Sequence, residues 1–108
     1  MPESFQSGAL TEAVYYILLA LYEPMHGYGI MKLVKKISNE RVNLGPGTLY
    51  GAINVLLEKG WIQVLGTVGD SRKKEYRITA AGMRVVGDEI LRLQELIDNG
   101  RMITKGER

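Results

Sequence analysis

The sequence predicts a mainly α-helical domain with one small β-hairpin and a long helix that closes the chain. Three observations predict it. Apolar residues recur every three or four positions in four separate segments, the period of a helix buried along one face. Between the third and fourth of these lie two β-prone runs, Trp61 to Leu65 and Lys74 to Ile78, joined by a polar, Gly-containing stretch. Pro24, Pro46 and Gly60 fall at the joints between the runs, where chain breakers belong.

Met1 to Gly8 is polar and is expected to be a flexible N-terminus. From Ala9 to Tyr22, Leu10, Val14, Ile17, Leu18 and Leu21 form a wide apolar stripe, widened further by Tyr15 and Tyr16. Pro24 ends this first helix, because the residue before proline avoids helical geometry. His26-Gly27-Tyr28-Gly29 reads as a turn. A second helix then buries Ile30, Leu33, Val34 and Ile37 and shows Lys32, Lys35 and Lys36 to solvent. Ser38-Asn39 ends it, and Val42 and Leu44 suggest a brief extended segment in the connection that follows.

The third helix is expected to start near Pro46, since proline is preorganised for a first helical turn. Leu49, Ala52, Ile53, Leu56 and Leu57 form its buried stripe, and Gly60 is its natural stop. In the returning strand Tyr76 and Ile78 share one face, Glu75 and Arg77 the other. Thr79 is an N-cap for the final helix, along which Met83, Val86, Ile90, Leu93 and Ile97 repeat at coiled-coil spacing. Gly100 is expected to end it. Three helices followed by a hairpin are the winged helix-turn-helix arrangement. The expected organisation is a flexible segment at 1–8, a winged helix-turn-helix DNA-binding domain at 9–79, a dimerisation helix at 80–100 and a flexible tail at 101–108.

Composition narrows the function. With 108 residues the chain is long enough for one domain with a modest core. It has no cysteine, so disulfides and thiolate metal sites are excluded, which fits a reducing, cytoplasmic location. Its longest apolar run, Ala13 to Tyr22, falls short of the roughly 20 residues that span a bilayer, so no membrane partner is expected. The formal net charge is only +2, but the charge is unevenly placed. Residues 1–27 hold three acids and no Lys or Arg, residues 28–78 hold nine bases against four acids, and the remainder is balanced. A basic middle between acidic and neutral segments suits a surface that meets a polyanion.

The third helix supplies the chemistry for that surface. Away from its buried stripe it carries Gly47, Thr48, Tyr50, Gly51 and Asn54. Glycines let the backbone approach a large partner, the free N–H groups of a first turn favour an anion, and Thr, Tyr and Asn hydrogen-bond to phosphates or base edges. In the hairpin loop Arg72, Lys73 and Lys74 are placed to bind phosphates, and Lys32 is the second-helix lysine nearest that helix's start. The partner expected is double-stranded DNA.

The apolar repeat of the last helix points to a second copy of the chain. Leu10, Val14 and Ile17 of the first helix with Val86, Ile90, Leu93 and Ile97 of the last are the expected dimer interface. A twofold dimer presents two reading helices to a pseudo-palindromic site. Catalysis and cofactors are not expected. His26 is the only histidine and has no partner at metal spacing, "GYG" and "GPG" lack the Gly-Lys-Ser/Thr of a phosphate loop, and Asp88 and Glu89 diverge from adjacent helix positions.

Three stretches together resemble the PadR family of transcriptional regulators. "HGYGI" (His26 to Ile30) resembles the segment opening that family's second helix. "GTLYGAINVLLEKGWI" (Gly47 to Ile62) resembles its recognition helix and entry into the wing, and "RKKEYRITAAG" (Arg72 to Gly82) the wing's return strand and the start of the last helix. The single helix after the wing is similar to the family's small subfamily. The resemblance implies a homodimer built from the first and last helices, usually a repressor. It also implies that some relatives bind flat hydrophobic effectors between subunits, stacked on an aromatic of the last helix. Here no Trp, Tyr or Phe follows Tyr76, and the matching place is Leu93. An effector cavity in this chain would draw on Tyr15, Tyr16 and Leu93. Two readings of function therefore stand: a DNA-binding regulator, and a winged-helix module that offers the same surface to a protein.

Overall fold

The computed structural model describes residues 8–66 and 74–106. Thr11 opens α1 (Glu12–Ala20): its hydroxyl accepts from the Val14 N–H at 3.1 Å, so the helix begins later than the apolar pattern alone suggests. Ile17, Leu18 and Leu21 are fully buried along α1 and just past its end. His26 stands at the N-cap of α2 (Gly27–Ile37), so the glycine pair expected as a turn lies inside the first helical turn. Asn39 and Glu40 adopt positive φ (54° and 66°) in the corner that follows. Ser38 holds this corner, accepting from the Val42 N–H at 2.9 Å. Val42 and Leu44 pack against the core from the connection and form no strand.

Pro46 opens α3 (Pro46–Glu58), and Gly60, at φ 76°, turns the chain out of it. β1 (Ile62–Leu65) and β2 (Glu75–Ile78) pair antiparallel, Ile62 opposite Ile78 and Leu65 opposite Glu75. The other edge of β2 is met by the α1–α2 connection. Met25 and Tyr76 exchange both backbone hydrogen bonds, and Ile78 donates to the Leu21 carbonyl.

α4 (Ala80–Thr104) starts at Thr79, whose hydroxyl accepts from the Gly82 N–H at 3.1 Å and donates to the Gly60 carbonyl at 2.7 Å. Here α4 touches the hairpin. A Cβ on Gly82 would meet the Trp61 carbonyl oxygen and lie 2.6 Å from Ile78 Cγ1, so only glycine fits. The expected end at Gly100 is overturned: the helix runs through it to Thr104, and residues 101–104 are helical rather than a loose tail. The hydrophobic core joins Ile17, Leu18, Ile30, Val34, Leu49, Ile53, Leu56, Ile62, Tyr76, Ile78 and Val86. Each fully buried aliphatic side chain among them contributes about 1.5–3 kcal/mol. Among the described residues no helix is long and apolar enough to cross a membrane.

Candidate nucleic-acid interface

The buried stripe Leu49, Ile53 and Leu56 clamps α3 to the core and aims its other face at solvent. Gly47, Thr48, Tyr50, Gly51 and Asn54 are all exposed on that face. No side chain caps the N-terminus, so the N–H groups of the first turn are left to an outside acceptor. A Cβ built on Gly45, Gly47 or Gly51 would find nothing within 4 Å. The chain's own packing therefore does not require glycine at these three places. Gly27, at the start of α2, is different. Tyr50, 40% exposed, lays its ring over Gly27, and a Cβ there would come within 2.7 Å of Tyr50 Cζ. This contact ties the exposed face of α3 to the first turn of α2.

Lys32 and Lys74 are exposed. Arg72 and Lys73 lie outside the described residues. Tyr28, which sequence reasoning passed over as a turn residue, is strongly exposed on α2, and the Lys32 Nζ sits 5.3 Å from its ring centroid. Its place one residue inside a helix start, beside a lysine one turn on, was the signal available.

The expected dimer residues divide. Ile17 is 0% and Val86 2% exposed within a single chain, so neither can meet a partner; they are core residues, and their removal from the expected interface is a correction. Leu10 and Val14 are half-buried against the same core. Ile90 and Ile97 are exposed, and Leu93 is half-buried.

Tyr15, Tyr16 and Leu93 line one cavity of about 270 Å³ between α1 and α4, together with Leu10, Glu12, Glu89 and Arg92. The two tyrosine rings lie 5.9 Å apart, tilted by 52°. Glu89, only 4% exposed, receives two hydrogen bonds from Arg92, at 2.9 Å from Nε and 2.7 Å from Nη2. Those hydrogen bonds hold the Glu89 carboxyl below the usual carboxylate range, against the opposing effect of burial. Burial, and next the Glu89 charge, pushes the Tyr15 hydroxyl up, so it stays a neutral donor. Among the described residues no group of His, Asp and Glu is arranged to hold a metal.

The model of the transcriptional regulator PadR-like family matches residues 16–88. The chain belongs to this family. Its winged-helix fold is that of PadR-family transcriptional regulators. The PadR-like chain is also 35% identical over 79 residues to an uncharacterized 37.1 kDa protein in a Streptomyces fradiae transposon. That match takes in 72% of the chain but spans only 22% of the transposon protein. Among solved structures, the fold is similar to a PadR family transcriptional regulator from Eggerthella lenta, with a TM-score of 0.69 and 23% identity over 98% of this chain and 89% of that one. It is likewise similar to a transcriptional regulator from Clostridium thermocellum, with a TM-score of 0.64 and 21% identity over 95% and 96% of the two chains.

Proposed function

We propose that this PadR-like regulator acts as a homodimeric repressor that reads a pseudo-palindromic operator through the N-terminal half of α3. The observation that carries the reading is the open space around Gly45, Gly47 and Gly51 on a helix otherwise clamped to the core. Glycine within a helix costs up to about 1 kcal/mol against alanine. Here the fold gains no close contact in return, which favours an outside partner. Thr48, Tyr50, Gly51 and Asn54 read bases or phosphates, and Lys32 and Lys74, with Arg72 and Lys73 of the wing, bind the backbone.

Dimerisation rests on the exposed apolar surface of α4, where Ile90 and Ile97 lack cover from their own chain. A small hydrophobic effector would enter beside Tyr15, Tyr16 and Leu93 and act by altering how α4 sits on α1. Fluorescence anisotropy of a labelled duplex from the region upstream of the chain's own gene, beside a scrambled duplex at two salt concentrations, tests the reading. Selective, salt-sensitive binding supports it, and equal weak binding to both duplexes counts against a specific reader at that site.

A further inference from the structure

A groove of about 530 Å³ lies where the start of α1, the end of α3 and the entry to the hairpin meet. Leu10 and Val14 wall it on one side, Val55, Leu56 and Lys59 of the α3 end on the other, with Trp61 beside them. Leu56 is buried, whereas Val55 is 48% exposed. Trp61 is half-buried, and the Lys59 Nζ lies 5.1 Å from its ring centroid. Lys59 is the only charged side chain among the described residues that line the groove. The hollow is therefore apolar, with a single positive charge at its rim. An occupant that fits it carries one large apolar side chain and one acid.

The chain itself leads into this groove. Gly8 and Ala9, the first described residues, form part of its wall. Residues 1–7, expected from the sequence to belong to a flexible N-terminus, lie outside the described residues. Their chemistry matches the groove. They contain Phe5, the chain's only phenylalanine, and their one charged side chain is the acid Glu3. Phe5 stands three residues before Gly8, which gives its backbone a reach of about 10 Å from the groove wall. A segment tethered at the wall closes only a short loop to arrive, so the entropic cost is small.

We infer that residues 3–5 fold back into the groove of their own chain, with the Phe5 ring on Leu10, Val55 and Trp61 and the Glu3 carboxylate beside the Lys59 ammonium. The ring supplies the contact area. The ion pair, lying at the rim, sets the direction of the segment and adds little affinity. The strap so formed joins the start of α1, the last turn of α3 and the entry to β1. It steadies α3 from the end opposite Gly47 and Thr48, and the inference stands whether or not that other end reads a duplex.

Trp61 is the chain's only tryptophan and a wall of the groove, so its emission reports occupancy without a label. In the full-length chain, Phe5→Ala is expected to move Trp61 emission to longer wavelength and to raise its quenching by acrylamide at unchanged circular dichroism. Phe5→Leu is expected to fall between Phe5→Ala and the parent. Glu3→Gln is expected to give a smaller rise in quenching that vanishes at high salt, where the pair is screened. A Phe5→Ala variant with the emission and quenching of the parent overturns the docking. A Phe5→Cys/Val55→Cys variant, in a chain without native cysteine, decides whose groove is filled. Oxidation is expected to give a disulfide within one chain, at monomer mass under denaturing, non-reducing conditions. A linked product of twice that mass, or none, overturns the assignment of the groove to its own N-terminal segment.

Discussion

The Tyr50 ring covers Gly27 so closely that a Cβ on Gly27 would lie 2.7 Å from Tyr50 Cζ, and nearer still to its hydroxyl. Tyr50 thus meets α2 with the hydroxyl end of its ring, while the residue as a whole stays 40% exposed. Gly27→Ala is expected to cost about 1–3 kcal/mol in urea unfolding, through overpacking, and to weaken duplex binding by displacing α3. Tyr50→Phe keeps the ring and is expected to leave stability nearly unchanged while reducing affinity. Equal stability of Gly27→Ala and the parent chain would show that the contact does not brace the helix pair.

Gly82 and Gly87 lie on the same helix with opposite surroundings. At Gly82 a Cβ would collide with the Trp61 carbonyl and Ile78, whereas at Gly87 it would enter open space. Gly82→Ala is expected to lower the melting temperature by prying α4 from the hairpin. Gly87→Ala is expected to stabilise by about 0.5–1 kcal/mol through helix propensity. Thermal unfolding of the two variants side by side checks the sign of each.

Acid weakens the fold through Glu89. Arg92 lowers the folded-state pKa of Glu89 below its unfolded value. The unfolded chain therefore binds a proton more readily than the folded one, and stability falls as pH drops. The Glu89 contribution is fully present above the ordinary carboxylate pKa and is lost as pH falls through the lower folded value. Glu89→Gln is expected to flatten that part of a stability-against-pH curve measured by urea unfolding. A curve of unchanged slope would remove Glu89 as the source.

Where the fold was legible in the sequence, a local signal had a single meaning. Thr79, Pro46 and Gly60 mark helix ends whose geometry involves only near neighbours. The Met25–Tyr76 bridge left no such trace, because one pair of backbone hydrogen bonds produces no periodicity. Periodicity also identified the apolar sides of α1 and α4 without saying what covers them, so Ile17 and Val86 were assigned to a partner chain although their own core encloses them. Glu89 hid the buried row Gly82, Val86 and Glu89 of α4: a carboxylate interrupts an apolar pattern, and its burial is made tolerable by Arg92, with a further hydrogen bond from the Leu10 backbone. Gly100 misled as well, since a glycine that stops a helix and one that a helix runs through look alike in sequence. On α3, the exposed face was legible as the complement of the Leu49, Ile53 and Leu56 stripe, but the Tyr50–Gly27 contact joins two helices and was not.

Lys32 and Lys74 belong to the phosphate-binding part of the account. Replacing either with alanine is expected to weaken binding to matched and scrambled duplexes alike. Each is expected to reduce the slope of log affinity against log salt by about 1. Anisotropy titrations across a salt series measure both effects, and a selective loss on the matched duplex alone would assign that lysine to base reading instead.

The central claim is that the exposed N-terminal half of α3 reads duplex sequence. Anisotropy of the upstream and scrambled duplexes, with the parent chain and a Thr48→Ala/Asn54→Ala variant of unchanged circular dichroism, tests it most directly. The account predicts that the parent chain prefers the upstream duplex and that the variant binds both with the same weak affinity. A variant that retains the parent's preference would contradict it.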